Sequence, residues 1–298
     1  MYAIIICRML QKSLLLAIAV FGLSLTSSQS THAIDTSTLG IDVGFPQCGT
    51  ILPTNQAFGI VSVNGGKASN INPCLRDQLL WAQSSTSLSP NQPKLQLYLN
   101  TASPGNYYKN TKLVANWPKD SIDPSGYNTG YNCSGGNTIA CARQYGWERA
   151  QEAIGYFRRT ATTIDGLDAN PAAYMWWLDV ETLNTWHSGR ERDGYKKNVA
   201  TLEGYADYFA KKAALTRFGI YSTNPQWKQI VGTGNIARTS PLRPAPTWYA
   251  IGTGFTIDNA HKVCVSNSPD YQPLAGTVGS IELVQFVSDN LDYNYSCI

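Results

Sequence analysis

The chain has 298 residues, a formal net charge of +3 and only 14% charged residues. So even a balance, with no basic cluster interleaved with aromatics, argues against a nucleic-acid partner. Seventeen Tyr and eight Trp on a weakly charged chain suit sugars better than phosphates.

The first segment is expected to leave the protein. Arg8 and Lys12 precede a 12-residue apolar run, Leu14 to Leu25, and Thr31-His32-Ala33 puts small residues at −3 and −1 of a cleavage site. This is the pattern of a secretory signal peptide over residues 1–33, cut after Ala33. The run is too short to cross a bilayer, which needs about 20 residues, so no stable membrane anchor is expected after cleavage. The remaining 265 residues, Ile34 to Ile298, lose Arg8 and Lys12 and no acid, which leaves +1. That length suits one α/β barrel.

Strands and helices then alternate. Leu39 to Phe45 reads as a strand, and Phe58 to Asn64 as a second, closed by Gly65-Gly66. Asn72-Pro73 opens a helix through Leu75, Leu79, Leu80 and Trp81. Lys94 to Thr101 is a third strand, with Leu95, Leu97 and Leu99 in alternation. Residues 102–137 form a long loop rich in Gly, Pro, Asn and Tyr, and loops of that length are usually functional or disordered. Its Tyr107, Tyr108, Trp117, Tyr127 and Tyr131 are candidates to offer flat faces to sugar rings in a substrate cleft, or to pack the loop onto the barrel. Ala140 to Thr162 is a helix, Tyr174 to Glu181 a strand, Val199 to Leu215 a helix, Phe218 to Ser222 a strand and Asn224 to Val231 a short helix. Pro246 to Ile251 and Ser280 to Ser288 are the last strands. The order predicts a single-domain, parallel, TIM-like (β/α) barrel over residues 34–298.

The most informative stretch is Trp177-Leu178-Asp179-Val180-Glu181. In a strand, alternate side chains share a face, so Asp179 and Glu181 point the same way as Met175 and Trp177, while Tyr174, Trp176, Leu178 and Val180 point the other. Two unpaired carboxylates at the end of a strand buried on both faces cost stability, and acid/base chemistry is the usual reason to keep such a pair. In a barrel, strand C-terminal ends converge on one mouth. Asp42, Asn64, Tyr98, Asn100, Tyr221, Trp248 and Gln285 lie at or near such ends. A turn role for Asn64 and Asn100, a core role for Tyr221 and Trp248, and a loop cap for Asp42 are the plainer alternatives.

Cys7 lies in the leader. Six cysteines remain, Cys48, Cys74, Cys133, Cys141, Cys264 and Cys297, an even count that implies disulfides in an exported protein. Fifteen pairings are possible; sequence order suggests Cys48–Cys74, Cys133–Cys141 and Cys264–Cys297. With no C-x-x-C and only His187 and His261 in the mature chain, no metal site is expected, and no G-x-S-x-G elbow supports a serine triad.

Gly40-Ile41-Asp42-Val43, Asp179-Val180-Glu181, Gly219-Ile220-Tyr221-Ser222, Thr247-Trp248-Tyr249-Ala250, Val284-Gln285-Phe286 and Leu291-Asp292-Tyr293-Asn294, in that order, resemble the glycoside hydrolase family 25 lysozymes. These are secreted muramidases that cut the bacterial cell-wall glycan. The resemblance implies that Glu181 is the general acid/base, that Asp179 orients the substrate N-acetyl group or stabilises positive charge, and that Asp42 and Asp292 complete an acidic cluster. It implies a carbohydrate polymer such as peptidoglycan as partner, a secreted or cell-wall location, and no cofactor. In a crowded acidic pocket one carboxyl holds its proton; Glu181 is expected to be that one, with Asp179 and Asp42 anionic. The chain departs from the family at Gly44-Phe45-Pro46-Gln47-Cys48, at Ser62-Val63-Asn64-Gly65-Gly66 and at Tyr98-Leu99-Asn100, and it lacks a Trp before Gln285. A barrel that binds cell-wall carbohydrate without turnover is therefore the alternative, and a structural wall or spore protein a third reading.

Overall fold

Short, almost wholly buried strands dictate how this chain folds. The computed structural model describes residues 36–109, 112–266, 268 and 270–298, with the side chains of 106–115 left aside. The leader expected over residues 1–33 lies outside the described residues. The rest belongs to one compact unit, Asp35–Ile298.

Eight strands close into a barrel. They are β1 (Gly40–Val43), β2 (Phe58–Ser62), β3 (Leu95–Asn100), β6 (Met175–Asp179), β7 (Gly219–Ser222), β8 (Thr247–Thr253), β9 (Ile281–Ser288) and β10 (Leu291–Ser296). A separate hairpin, β4 (Asn106–Lys109) with β5 (Lys112–Ala115), lies in the long loop. The helices are α1 (Leu75–Gln83), α2 (Ile139–Ala161), α3 (Gly194–Lys212), α4 (Asn224–Val231) and α5 (Ile257–Val265). Around the barrel the strand order is β1-β10-β9-β8-β7-β6-β3-β2.

The barrel is mixed, which corrects the parallel expectation. Neighbours are parallel except at β10, which runs antiparallel to both β1 and β9. The cause is local. Ser288 pairs with Leu291, so only Asp289 and Asn290 form the turn, and both have positive φ, 51° and 60°. A two-residue loop of that kind folds the chain straight back on itself.

The alternation read in β6 sets the layers. Met175 and Trp177 point inward and pack with Phe58, Ile60, Trp248 and Leu283; Tyr98 and Tyr221 lie against this cluster. Trp176 points outward, where its ring meets Phe157 of α2 and Phe209 of α3 at 5.4 and 5.9 Å. Two glycines make room inside. A Cβ at Gly40 would fall 2.1 Å from the Phe58 ring, and one at Gly219 would fall 2.1 Å from the Trp177 ring. Below the aromatics the Trp177 indole donates to Gln96 Oε1 (2.8 Å), and Gln96 donates to Gln92 Oε1 (2.8 Å), so the floor of the barrel is polar but satisfied.

Other elements differ from expectation for identifiable reasons. β6 ends at Asp179, two residues before Glu181. α3 begins at Gly194 rather than near Val199. Its first turns bury Lys197 and Asn198, which break the apolar pattern but are bonded: Lys197 donates to Asn137 (2.6 Å), and Asn198 donates to the carbonyls of His187 and Ile230. α5 is preceded by a Thr256/Asn259 capping box. Disulfides join Cys48 to Cys74, Cys133 to Cys141 and Cys264 to Cys297. They tie the segment after β1 to the start of α1, the long loop to the first turn of α2, and α5 to the end of β10. Among the described residues no helix is long and apolar enough to cross a membrane.

Because Gly219 faces a ring with no slack, Gly219→Ala should overpack the barrel and lower unfolding free energy by about 1–3 kcal/mol. Urea titration measures it; a wild-type midpoint would contradict this packing.

Candidate active site

Asp42, Asp179 and Asp292 reach the barrel mouth by strand register. Asn100, Asp179 and Tyr221 lie side by side across β3, β6 and β7, and Asp42 pairs with Asp292 across β1 and β10. A cleft of about 550 Å³ opens there. Asp42, Tyr98, Asn100, Asp179, Glu181, Tyr221, Trp248, Gln285 and Asp292 all line it. Two other surface hollows, of about 610 and 600 Å³, match it in size but hold no comparable carboxylate group. Volume therefore does not single out this cleft; its chemistry does.

Asp42 is the fixed point of the site. Its Oδ1 accepts from Gln285 Nε2 at 2.9 Å and from Asn294 Nδ2 at 2.8 Å. Both amides are held in that orientation from behind. The Trp248 indole N–H, a donor only, donates to Asn294 Oδ1 at 2.7 Å, so the Asn294 amide nitrogen must face Asp42. The Tyr221 hydroxyl donates to Gln285 Oε1 at 2.8 Å and orients that amide likewise.

Glu181 sits just past β6, and its backbone carbonyl accepts from the Trp186 indole (2.8 Å). Gln226 Oε1 accepts from the Thr182 amide (2.6 Å) and hydroxyl (3.0 Å), which turns Gln226 Nε2 toward Glu181 Oε1 at 3.4 Å. Thr223 caps α4 and so places Gln226. Asp179 differs from its neighbours: its backbone carbonyl is held by Thr101, yet its buried Oδ1 has no partner among the described residues.

Burial and mutual repulsion raise the whole cluster. Burial, then Glu181 and Asp42, push Asp179 well above the ordinary carboxyl range. Asp42 is also pushed well up, by burial and by Asp292, against the downward pull of its two amide donors. Glu181 is raised by burial. Asp292 is raised to about 6 by burial and by the Glu181 charge. Glu181 is raised as expected, and burial raises Asp42 and Asp179 alongside it. Of these, Asp42 has donors that favour its charged form, and Asp179 has none.

Asn64 does not line the cleft. It lies behind it, with Nδ2 donating to the Asn100 carbonyl (2.8 Å) and Oδ1 accepting from the Asn100 amide (2.8 Å). It joins the ends of β2 and β3, the turn-type role weighed as its alternative. The long-loop aromatics with described side chains also pack elsewhere. Tyr127 stacks on Trp147 of α2 at 5.5 Å, Tyr131 donates to Asp207 of α3 (2.6 Å), and Trp117 lies against His187. Lys212 and Arg143 sit over the Tyr127 and Tyr131 rings, so cation–π contacts hold the loop to these helices. The Tyr107 and Tyr108 side chains lie outside what is described.

The apolar rim comes instead from Phe45 and Leu183, 51% and 91% exposed, with Pro46, Ile251 and Val287. Sequence reasoning assigned no role to Asn294, Gln226 or Leu183, although Asn294 stands in the motif with Asp292, and the Thr223 cap marks where Gln226 begins its helix. Among the described residues no group of three or more His, Cys, Asp or Glu is arranged to hold a metal ion. Comparison with protein families, characterised proteins and solved structures returns no match.

The raised carboxyls carry a signed consequence. Between the ordinary value of about 4 and the raised native values, the folded protein binds more protons than the unfolded chain, so stability falls as pH rises through that window. Asp179→Asn removes one such group. It should raise the melting temperature by a few degrees at pH 8 and leave it unchanged at pH 4, measured by calorimetry. An equal shift at both values would show that charge is not the cause.

Proposed function

We propose that this protein is a secreted, TIM-like-barrel glycoside hydrolase that cleaves an N-acetylated cell-wall glycan, as a muramidase does. The observation that carries the reading is the convergence of Asp42, Asp179, Glu181 and Asp292 in one open cleft at the strand ends, each with a raised carboxyl. Glycoside cleavage needs a protonated acid at the leaving oxygen and negative charge near the developing oxocarbenium ion. A shared, incompletely ionised cluster supplies both.

Glu181 is less buried than Asp42 or Asp179, lies on the cleft wall and is steadied by Gln226, which suits proton delivery to a bound linkage. Its carboxyl proton passes to the glycosidic oxygen as the C1–O bond breaks. The acetamido carbonyl oxygen of the same sugar bonds to C1 and takes up the positive charge as a cyclic oxazolinium. Water then adds to C1, the acetamido oxygen leaves, and the Glu181 carboxylate takes the water's proton. The unpartnered Oδ1 of Asp179 would accept from the acetamido N–H and hold that group in line. Asp42 would remain the anchored carboxylate beneath, and Asp292 the outer one. The three disulfides and the leader pattern support export, with the mature N-terminus at Ile34.

One observation favours the second reading, a barrel that binds glycan without turnover. Asn64, at the end of a strand that departs from the muramidase pattern, is bonded to Asn100 and withdrawn from the cleft.

Clearing of purified peptidoglycan by wild type should fall about 10²–10⁴-fold in Glu181→Gln, with binding to the insoluble glycan retained. Asp179→Asn should also cut turnover, and both variants should fold. Wild-type rates in Glu181→Gln would remove that residue from the reaction. Binding without clearing by wild type would establish the second reading. Secreted material should give an intact mass beginning at or within a few residues of Ile34; retention of Met1 would exclude the leader.

A further inference from the structure

The cleft does not end at the carboxylates. Thr223, Ala250 and Ile251 line both it and a neighbouring hollow of about 310 Å³, at the lower end of the range for small-ligand sites, about 300–1,000 Å³. Three aromatic side chains give this hollow its character: Tyr249, Phe255 and Tyr271. Tyr249 is rigidly held. Its hydroxyl accepts from Asn224 Nδ2 (3.0 Å) and donates to the Asp270 carbonyl (3.2 Å), and its ring meets Tyr271 edge to face at 6.4 Å. Phe255, by contrast, is 41% exposed at the start of the turn into α5. Asn259 adds a polar edge. Its Oδ1 accepts from the Thr256 amide and hydroxyl, both at 2.9 Å, which leaves its amide nitrogen as a donor.

An aromatic floor with one polar edge matches a pyranose ring, which has an apolar C–H face and a rim of hydroxyl or acetamido groups. Size and position choose the occupant. The hollow is too small for a lipid chain or a folded peptide segment, and Thr223, Ala250 and Ile251 line both it and the acidic cleft, so the two adjoin.

We propose that this hollow is a sugar subsite, formed by Phe255, Tyr271 and Tyr249, that grips one ring of a glycan chain whose neighbouring linkage lies at Glu181. This rests on the glycan reading above, and the test separates the two.

The probe is the series of β-1,4-linked N-acetylglucosamine oligomers from two to six units, titrated by calorimetry onto Glu181→Gln, whose slowed turnover leaves them intact over the titration. Affinity should rise with length. Adding Phe255→Ala or Tyr271→Ala should weaken the six-unit oligomer about tenfold and flatten the dependence on length. Phe255→Trp should restore it, which a merely structural role for Phe255 would not predict. Six-unit binding that is undiminished in both alanine variants would overturn the subsite and leave the glycan reading intact. Failure of every oligomer to bind Glu181→Gln would overturn the glycan reading, and the subsite with it.

Discussion

Two amide side chains donating to one carboxylate oxygen organise the mouth of this barrel. Asp42 on β1 accepts from Gln285 on β9 and Asn294 on β10, which are in turn oriented by Tyr221 on β7 and Trp248 on β8. Three strands meet at that oxygen and two more stand behind it. The same Trp248 ring packs against Tyr98, Trp177 and Tyr221 at 6.0, 5.7 and 4.6 Å. It therefore joins the apolar filling of the barrel to the polar site above it. Packing fixes the indole, the indole fixes the amide, and the amide fixes the carboxylate. A charged group would be costly this deep without such donors, so the site and the core depend on the same contacts.

Much of this was legible in the residues. Period-two alternation put Met175, Trp177 and Asp179 on one face of β6, and that is where they lie. The rule that strand C-terminal ends share a mouth brought Asp42, Tyr98, Asn100, Tyr221, Trp248 and Gln285 to one cleft from five separate strands. What escaped was of two kinds. Asn64 satisfies its amide on a neighbouring strand, and no pattern distinguishes an amide bonded to backbone from one facing a ligand. Gln226 and Leu183 lie on a helix start and a loop, where no periodicity indicates direction. β10 was hidden because Leu291-Asp292-Tyr293-Asn294 mixes polar and apolar residues on a strand only partly buried. The Asp289-Asn290 pair was its one clear signal.

The rise of Asp42 and Asp179 alongside Glu181 could not be read from the chain. It depends on burial, and burial is set by elements far apart in sequence. Asp179 is covered because β3, β7 and the segment at Thr101 close over it, and Asp42 because β10 turns back beside β1. The long loop shows the same limit. Its aromatics were reasonable candidates for a cleft, but Arg143, Lys212 and Trp147 on the helices outside the barrel hold them there.

The antiparallel strand also governs when the site comes into being. The bond from Asn294 to Asp42 spans 252 positions of sequence, and that from Gln285 spans 243. Contacts of such separation are entropically costly to close. β10 and β1 are the seam of the barrel, and the acidic cluster straddles that seam. A partly folded chain with the seam open has neither a closed barrel nor an assembled set of carboxylates. The grouping of Asp42 with Asp292 therefore exists only where the last strand has closed against the first.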